Sequence, residues 1–513
     1  MANLQPLRNY IRQNIAHLRS SPCLLITSAP PPAAISTAIA GNKTPSSIPS
    51  NSDQQQQKTN REQLKFQQQQ NDPKAHAFVE RNTQSLTLEF QLRSVPCTIS
   101  SAFPTLGSVR EAVSLAKRAG LKEGSFGSGD GVVIGVGSGA AMDLAKAVAD
   151  TLFGNIASCG DSSKDNDLEG GGSLVLAPCT LGGLWAASSN SPSLLLDTKE
   201  EMLLPHLTSS WGNADPTDVL RRRGAVVTLD PSRYLAMPPL YSPFQPMKRS
   251  EYSSTPSMAH VAAAALAIVL DLARSVDVGL KAGTTNERVQ LQQHVAEEMK
   301  AVASSCASVL QLATQEANND SSSNSNNGTD TTSNHMLAQQ HLLDAIPRLS
   351  PLINQSSLLA QTPMVTTGTI PHKLANALLP AYFPQCHIVT YLACILPGLC
   401  DVLSADNSAS SSEGTISMVE NVAKSIMNCE KDGNNGNTNE SSRLSSWATQ
   451  VTMEAGIPSM ASLAFGTPDL NTLVGSLDSY DALIASLNGG GIASGGGQDH
   501  WIMEDVLQRS LNR

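Results

Sequence analysis

The sequence predicts an N-terminal parallel α/β domain over residues 1–245 followed by an all-helical domain over 246–513. Three features carry this expectation. From Gly131 to Asp150 an apolar strand, a glycine turn and an amphipathic helix follow without a break. Around that stretch, strand-like and helix-like segments alternate, the order that builds a parallel sheet covered by helices on both faces. Beyond about Ser257 the apolar spacing becomes helical almost throughout, beginning with MAHVAAAALAIVLDLARSV.

Composition sets the outer bounds. A chain of 513 residues with 40% apolar and 15% charged residues is globular over most of its length. Polar low-complexity runs at Gln54–Gln70, Asn318–Asn334 and Gly433–Ser446 bury too little apolar surface to offset their ordering entropy, so insertions near 45–75, 316–335 and 430–446 are expected to be disordered. A net charge of −10, with no basic cluster larger than Arg221-Arg222-Arg223, argues against a nucleic-acid partner. Nine scattered cysteines without a C-x-x-C pair suit a reducing compartment. The longest uninterrupted apolar run, Val261–Leu270, ends at Asp271, so no membrane-spanning helix is expected.

The elements follow in chain order. Leu4, Leu7, Ile11, Ile15 and Leu18 share one helical face in a stretch without acidic residues. Such a segment suits a mitochondrial transit peptide, and equally an opening helix before the strand Cys23–Ile26; the compartment is cytoplasmic, or mitochondrial if residues 1–30 act as a leader. Ser85–Phe90 and Val95–Ile99 read as strands, and Pro104-Thr105 introduces a helix over Ser108–Ala119. Val132, Val133 and Ile134 form a β-branched run of the kind buried in a parallel sheet. Gly135, Gly137 and Gly139 then permit a tight turn, and the next helix points its free N–H groups at whatever lies over the glycines, typically a phosphate. Ser173–Ala177, Ser193–Asp197 and Ala225–Pro231 read as further strands. Helices are expected at Asn286–Leu312, Leu337–Ile346, Pro371–Ala381, His387–Leu403 and Asp499–Leu511.

Gly135-Val-Gly137-Ser-Gly139-Ala140 fits the dinucleotide fingerprint, but the acidic residue due about 20 positions on falls in a polar loop instead of a strand. The fuller match is to the iron-containing alcohol dehydrogenase superfamily, which includes glycerol dehydrogenase, maleylacetate reductase and dehydroquinate synthase. Gly137-Ser138-Gly139-Ala140-Ala141-Met142-Asp143-Leu144-Ala145-Lys146 resembles its GGGSxxDxxK phosphate loop. Pro178-Cys179-Thr180-Leu181-Gly182-Gly183 resembles its PTTxGTGSE turn, with Leu184-Trp185 in place of Ser-Glu. The closing segments, with their G-I-P turn, resemble the family's last helices, so the likeness covers most of residues 100–513 outside the insertions.

This resemblance implies a dehydroquinate-synthase-like fold. It also implies NAD or NADP held by Gly137, Ser138, Gly139, Ala140, Asp143, Pro178, Thr180 and Gly183. Metal-using members hold Fe²⁺ or Zn²⁺ between an Asp and a His four residues apart, where one helix face carries both, plus two further His. Here the matching positions are Ala259 and Ala263, and His260 lies off that face. Thr369-Ile370-Pro371-His372-Lys373-Leu374-Ala375-Asn376 resembles the reductase motif LHHKLCH, with His372 at a ligand position and Asn376 at a catalytic one. His387 stands near the last ligand position, with Cys386 as the neighbouring alternative. His372 and His387 would be a metal remnant too small for tight binding.

The expected function is NAD(P)-dependent oxidoreduction of a small alcohol or carbonyl acid, with His372 and Asn376 at the chemistry. The alternative is a catalytically inactive descendant that keeps the fold and its nucleotide site; helix-capping roles would account for the same histidines. A small-molecule substrate is the expected partner, with a homo-oligomer left open.

Overall fold

The computed structural model describes residues 9, 11–13, 21–28, 87–89, 91–99, 101, 103–122, 131–153, 174–178, 180–187, 193–206, 225–226, 240–241, 256–280, 286–321, 328–360, 369–383, 386–409, 417–427, 440–463, 469–487 and 496–513. Five parallel strands form the N-terminal sheet: β1 (Cys23–Ser28), β2 (Ser94–Ile99), β3 (Val132–Gly137), β4 (Leu174–Pro178) and β7 (Ala225–Val226). Their order is β2-β1-β3-β4-β7, so the chain reverses its direction of travel across the sheet between β1 and β3. In open α/β sheets the crevice outside the carboxyl ends of two such strands is where ligands bind. Here those ends are Ser28 and Gly137.

Local sequence explains each layer. The strands β1, β3 and β4 are buried along almost their whole length, as expected for a sheet covered on both faces. Helix α1 (Leu106–Arg118) starts at a reciprocal cap in which Thr105 accepts the Ser108 N–H at 3.1 Å. Helix α2 (Gly139–Phe153) lies directly on β3. A side chain at Gly135 would meet Ala145 Cβ at 2.8 Å, so this glycine sits within the strand and serves close helix–strand packing instead of the turn.

Two other strands form a separate antiparallel ribbon, β5 (Leu194–Asp197) with β6 (Met202–Pro205). The segment Ser85–Phe90 departs from its strand reading. Residues 87–89 are helical and the Leu92 N–H closes a turn onto the Thr87 carbonyl at 3.2 Å, while Gln91 takes a positive φ of 54° that stops any extended run. Of the strand expected at Ala225–Pro231, only 225–226 lies within the described residues.

The second domain is helical: α4 (Met258–Leu280), α5 (Asn286–Ser321), α6 (Gly328–Ala360), α7 (Ile370–Tyr382), α8 (Ile388–Ala409), α9 (Met418–Met427), α10 (Glu440–Glu454), α11 (Met460–Leu463), α12 (Leu470–Leu487) and α13 (Gly496–Leu511). Helix α4 is its axis, buried on every side from Met258 to Val276, and α5, α6 and α8 pack around it. Its carboxylates organise its neighbours. Asp271 accepts the Ile370 N–H at 2.7 Å, and Asp277 accepts the Met418 and Val419 N–H at 2.7 and 3.1 Å, capping α7 and α9.

Two expectations change in this domain. The tract at 316–335 is helical up to Ser321 and again from Gly328, because an established helix adds residues cheaply once its packed turns exist. The tract at 430–446 is helical from Glu440, and the insertion near 45–75 lies outside the described residues. Ile388–Ala405 in α8 is long and apolar enough to span a membrane, which the interrupted-run criterion missed; 78% of it is buried inside the helical core.

Candidate functional site

The glycine turn lies at the crevice between β1 and β3. Gly137 adopts φ 130°, which strains any residue with a Cβ, and a Cβ there would also collide with Ser28 Oγ. Ser28 Oγ accepts the Ser138 N–H at 2.9 Å and so ties the two strand ends together. The Ser138 carbonyl accepts the Ala141 and Met142 N–H at 3.1 and 3.2 Å, placing Ser138 at the N-cap of α2. The N–H groups of Gly139 and Ala140 have no acceptor among the described residues, and they head the helix with its positive dipole end. Ser28 is a site residue the sequence did not reveal, since it stands 110 positions from Ser138.

Asp143 and Lys146 behave differently from the glycines. They pair along α2 at 3.1 Å with side-chain exposures of 12% and 1%. Lys146 therefore offers its charge to Asp143 inside the domain.

Within the PCTLGGLW segment the residues from Leu181 on are helical. After Pro178 at the end of β4, α3 (Leu181–Ala186) begins, capped by Thr180, whose Oγ1 accepts the Gly183 N–H at 2.9 Å. A Cβ on Gly183 would meet the Gly137 carbonyl at 2.6 Å, and one on Gly139 would meet the Gly182 carbonyl at 3.3 Å. Helix α3 is thus stacked on the glycine turn, backbone to backbone. From its other side, Gly182 faces His387 of the helical domain, a Cβ there lying 3.9 Å from the ring Cε1.

Three histidines stand at helix N-termini in the second domain. His260 forms a capping box with Ser257: its backbone N–H donates to Ser257 Oγ at 3.3 Å, and its Nδ1 accepts the Ser257 N–H at 3.1 Å. His387 immediately precedes α8, and its Nδ1 accepts the Val389 N–H at 3.2 Å. His372, at the start of α7, lies 2.9 Å through Nδ1 from Thr369 Oγ1. Asn376, one turn on, is buried and donates from Nδ2 to the Tyr480 hydroxyl at 3.3 Å, leaving Oδ1 without a partner among the described residues.

His260 is 2% exposed, and His387 adds to the lowering of its basicity, so the structure brings these two histidines near one another. Ala259 and Ala263 are both fully buried in the helical core. Cys386 is a poor alternative ligand, because burial pushes its thiol up to about 12. Among the described residues no three His, Cys, Asp or Glu side chains gather where one metal ion could be held.

Burial lowers His260, His372 and His387 from 6.5 to about 4, and His387 adds a smaller lowering at His260. All three are neutral in the folded protein at pH 7, whereas unfolded chains take up protons below about pH 6.5. The unfolded state therefore binds more protons between pH 6.5 and 4; the stability is complete above 6.5 and is lost as the pH falls toward 4. His387 is exposed by surface area, so solvent screens its shift and it contributes less than His260. Unfolding titrations are expected to show His372→Gln flattening this slope by about one proton. An unchanged slope would mean that His372 is not held neutral by the fold.

No protein-family model and no curated protein match the chain. In solved structures it is similar to an iron-containing alcohol dehydrogenase from Thermotoga maritima, at 13% identity and a TM-score of 0.44, covering 98% of this chain and 95% of the other. It is also similar to an archaeal alcohol dehydrogenase from a Red Sea brine pool (12%, 0.45, 98% and 95%) and to a probable glycerol dehydrogenase from Sinorhizobium meliloti (10%, 0.44, 100% and 94%).

Proposed function

We propose that this chain is a nicotinamide-nucleotide-dependent oxidoreductase that interconverts a small carbonyl acid and its alcohol without a resident metal. The observation that carries the proposal is the crevice between Ser28 and Gly137, where a positive-φ glycine and the N–H groups of Gly139 and Ala140, without an acceptor among the described residues, offer an anion a helix N-terminus. Gly137, Ser138, Gly139 and Ala140 would hold the pyrophosphate, with Pro178, Thr180 and Gly183 on the α3 side. The nucleotide would supply the hydride. The chain's own groups would bind the carbonyl acid, exclude water and stabilise the oxygen.

A divalent metal does not fit the residues present. The two ligand positions on α4 are buried alanines, so no step is assigned to a metal. His372, neutral at pH 7, suits a hydrogen-bond donor to the carbonyl oxygen better than an imidazolium acid. A second reading, a descendant that binds nucleotide without turnover, is favoured by Asn376, which donates to Tyr480 on α12.

Reduction of small oxo acids by NADH or NADPH in the presence of chelator tests this. Turnover is expected with chelator present, falling about a hundredfold or more in His372→Ala. Retained nucleotide binding with no turnover on any oxo acid would decide for the second reading.

A further inference from the structure

We propose that His260 and His387 form a paired N–H donor site for the oxygen of an anionic carbonyl substrate, in place of a metal. The inference rests on the carbonyl-reductase reading above and names two groups, besides His372, that would hold the substrate's oxygens.

At both rings a backbone donor faces Nδ1, and at His260 the Ser257 hydroxyl lies 2.6 Å from the same atom. A backbone N–H can only donate, so the Ser257 N–H at 3.1 Å and the Val389 N–H at 3.2 Å each require a lone pair on the Nδ1 they face. A neutral imidazole with a lone pair on Nδ1 carries its proton on Nε2. A metal bound through Nε2 needs the reverse arrangement, with Nδ1–H donating to a carbonyl or carboxylate. Both rings are therefore turned into donors by the helix caps that hold them.

Their surroundings select the ligand. Neither Nε2 has a hydrogen-bond partner among the described residues. Both rings stand at helix N-termini, of α4 and α8, whose dipoles favour negative charge. Burial lowers both rings, His387 adds to the lowering at His260, and no acidic side chain is among the causes at either. Gly182 of α3, stacked on the glycine turn, borders His387, which puts the pair on the nucleotide side of the cleft. Two donors and two helix ends match an oxygen carrying negative charge, as in a 2-oxo acid, and reject a cation.

Nitrogen-15 NMR of the full-length protein labelled at histidine tests the pair, with resonances assigned through His260→Gln and His387→Gln. Proton on Nε2 is expected at both rings without any nucleotide. Oxamate, an unreducible 2-oxo acid mimic, should shift both Nε2–H signals, and equimolar Zn²⁺ should shift neither. Oxamate affinity should fall about tenfold or more in His260→Phe and less in His260→Gln, which keeps a donor. An Nδ1–H tautomer at either ring, ligation shifts with Zn²⁺, or no response to saturating oxamate would overturn the proposal. Donor tautomers and oxamate binding without any hydride transfer would instead sink only the reductase reading.

Discussion

Replacing Asp271 by alanine is expected to cost about 3–5 kcal/mol of unfolding free energy, the usual penalty for removing one partner of a buried ion pair. Asp271 is 1% exposed and holds two groups at once. Its Oδ1 accepts from Arg274 Nε at 2.8 Å and its Oδ2 from the Ile370 N–H at 2.7 Å. Truncation leaves the guanidinium of Arg274, itself 9% exposed, without this carboxylate, and removes the cap of α7. Because α7 carries His372 two residues after Ile370, the loss should also loosen that histidine. Chemical denaturation measures the first effect, and a cost below about 1 kcal/mol would show that solvent reaches the pair.

Gly182 and Gly183 are expected to respond oppositely to alanine, although they are adjacent in one short helix. At Gly183 the new methyl would lie 2.6 Å from the Gly137 carbonyl and 3.1 Å from Thr180 Oγ1, so α3 must lift from the glycine turn. Overpacking of this kind costs about 1–3 kcal/mol, and the displaced turn should weaken nucleotide binding as well. At Gly182 the one neighbour among the described residues is His387 Cε1 at 3.9 Å, an ordinary contact, and alanine gains up to about 1 kcal/mol of helix propensity. Thermal melts of the two variants check this. Equal destabilisation of both would mean that α3 does not sit on the turn.

Much of the α/β domain was legible because its signals are local. The run Val132–Ile134, the glycines and the amphipathic helix specify β3, the turn and α2 through adjacent residues, and the positive φ at Gly137 follows. Contacts between distant residues were not legible. Ser28 enters the turn from another strand, and the duty of Gly135 becomes visible only when Ala145 is seen packed against it. The capping role of His260 was not read, because its position was judged only against the ligand spacing of a resembling family. The Ser257-x-x-His260 spacing of a capping box was the available signal. Composition misled near 316–335, where the polar residues up to Ser321 and from Gly328 lie in helices.

Equilibrium binding of the oxidised and reduced forms of NAD and NADP to the intact protein and to Ser138→Asp tests the central claim most directly. Aspartate is a favoured N-cap and suits the positive end of α2, so the variant should melt no lower than the parent. Its carboxylate would occupy the anion position and repel a pyrophosphate by several kcal/mol at an effective dielectric near 20, reduced by screening. The expected result is binding of at least one nucleotide by the parent, weakened about a hundredfold in the folded variant. No binding by the parent, or equal affinity in Ser138→Asp, would contradict a nucleotide site at the carboxyl ends of β1 and β3.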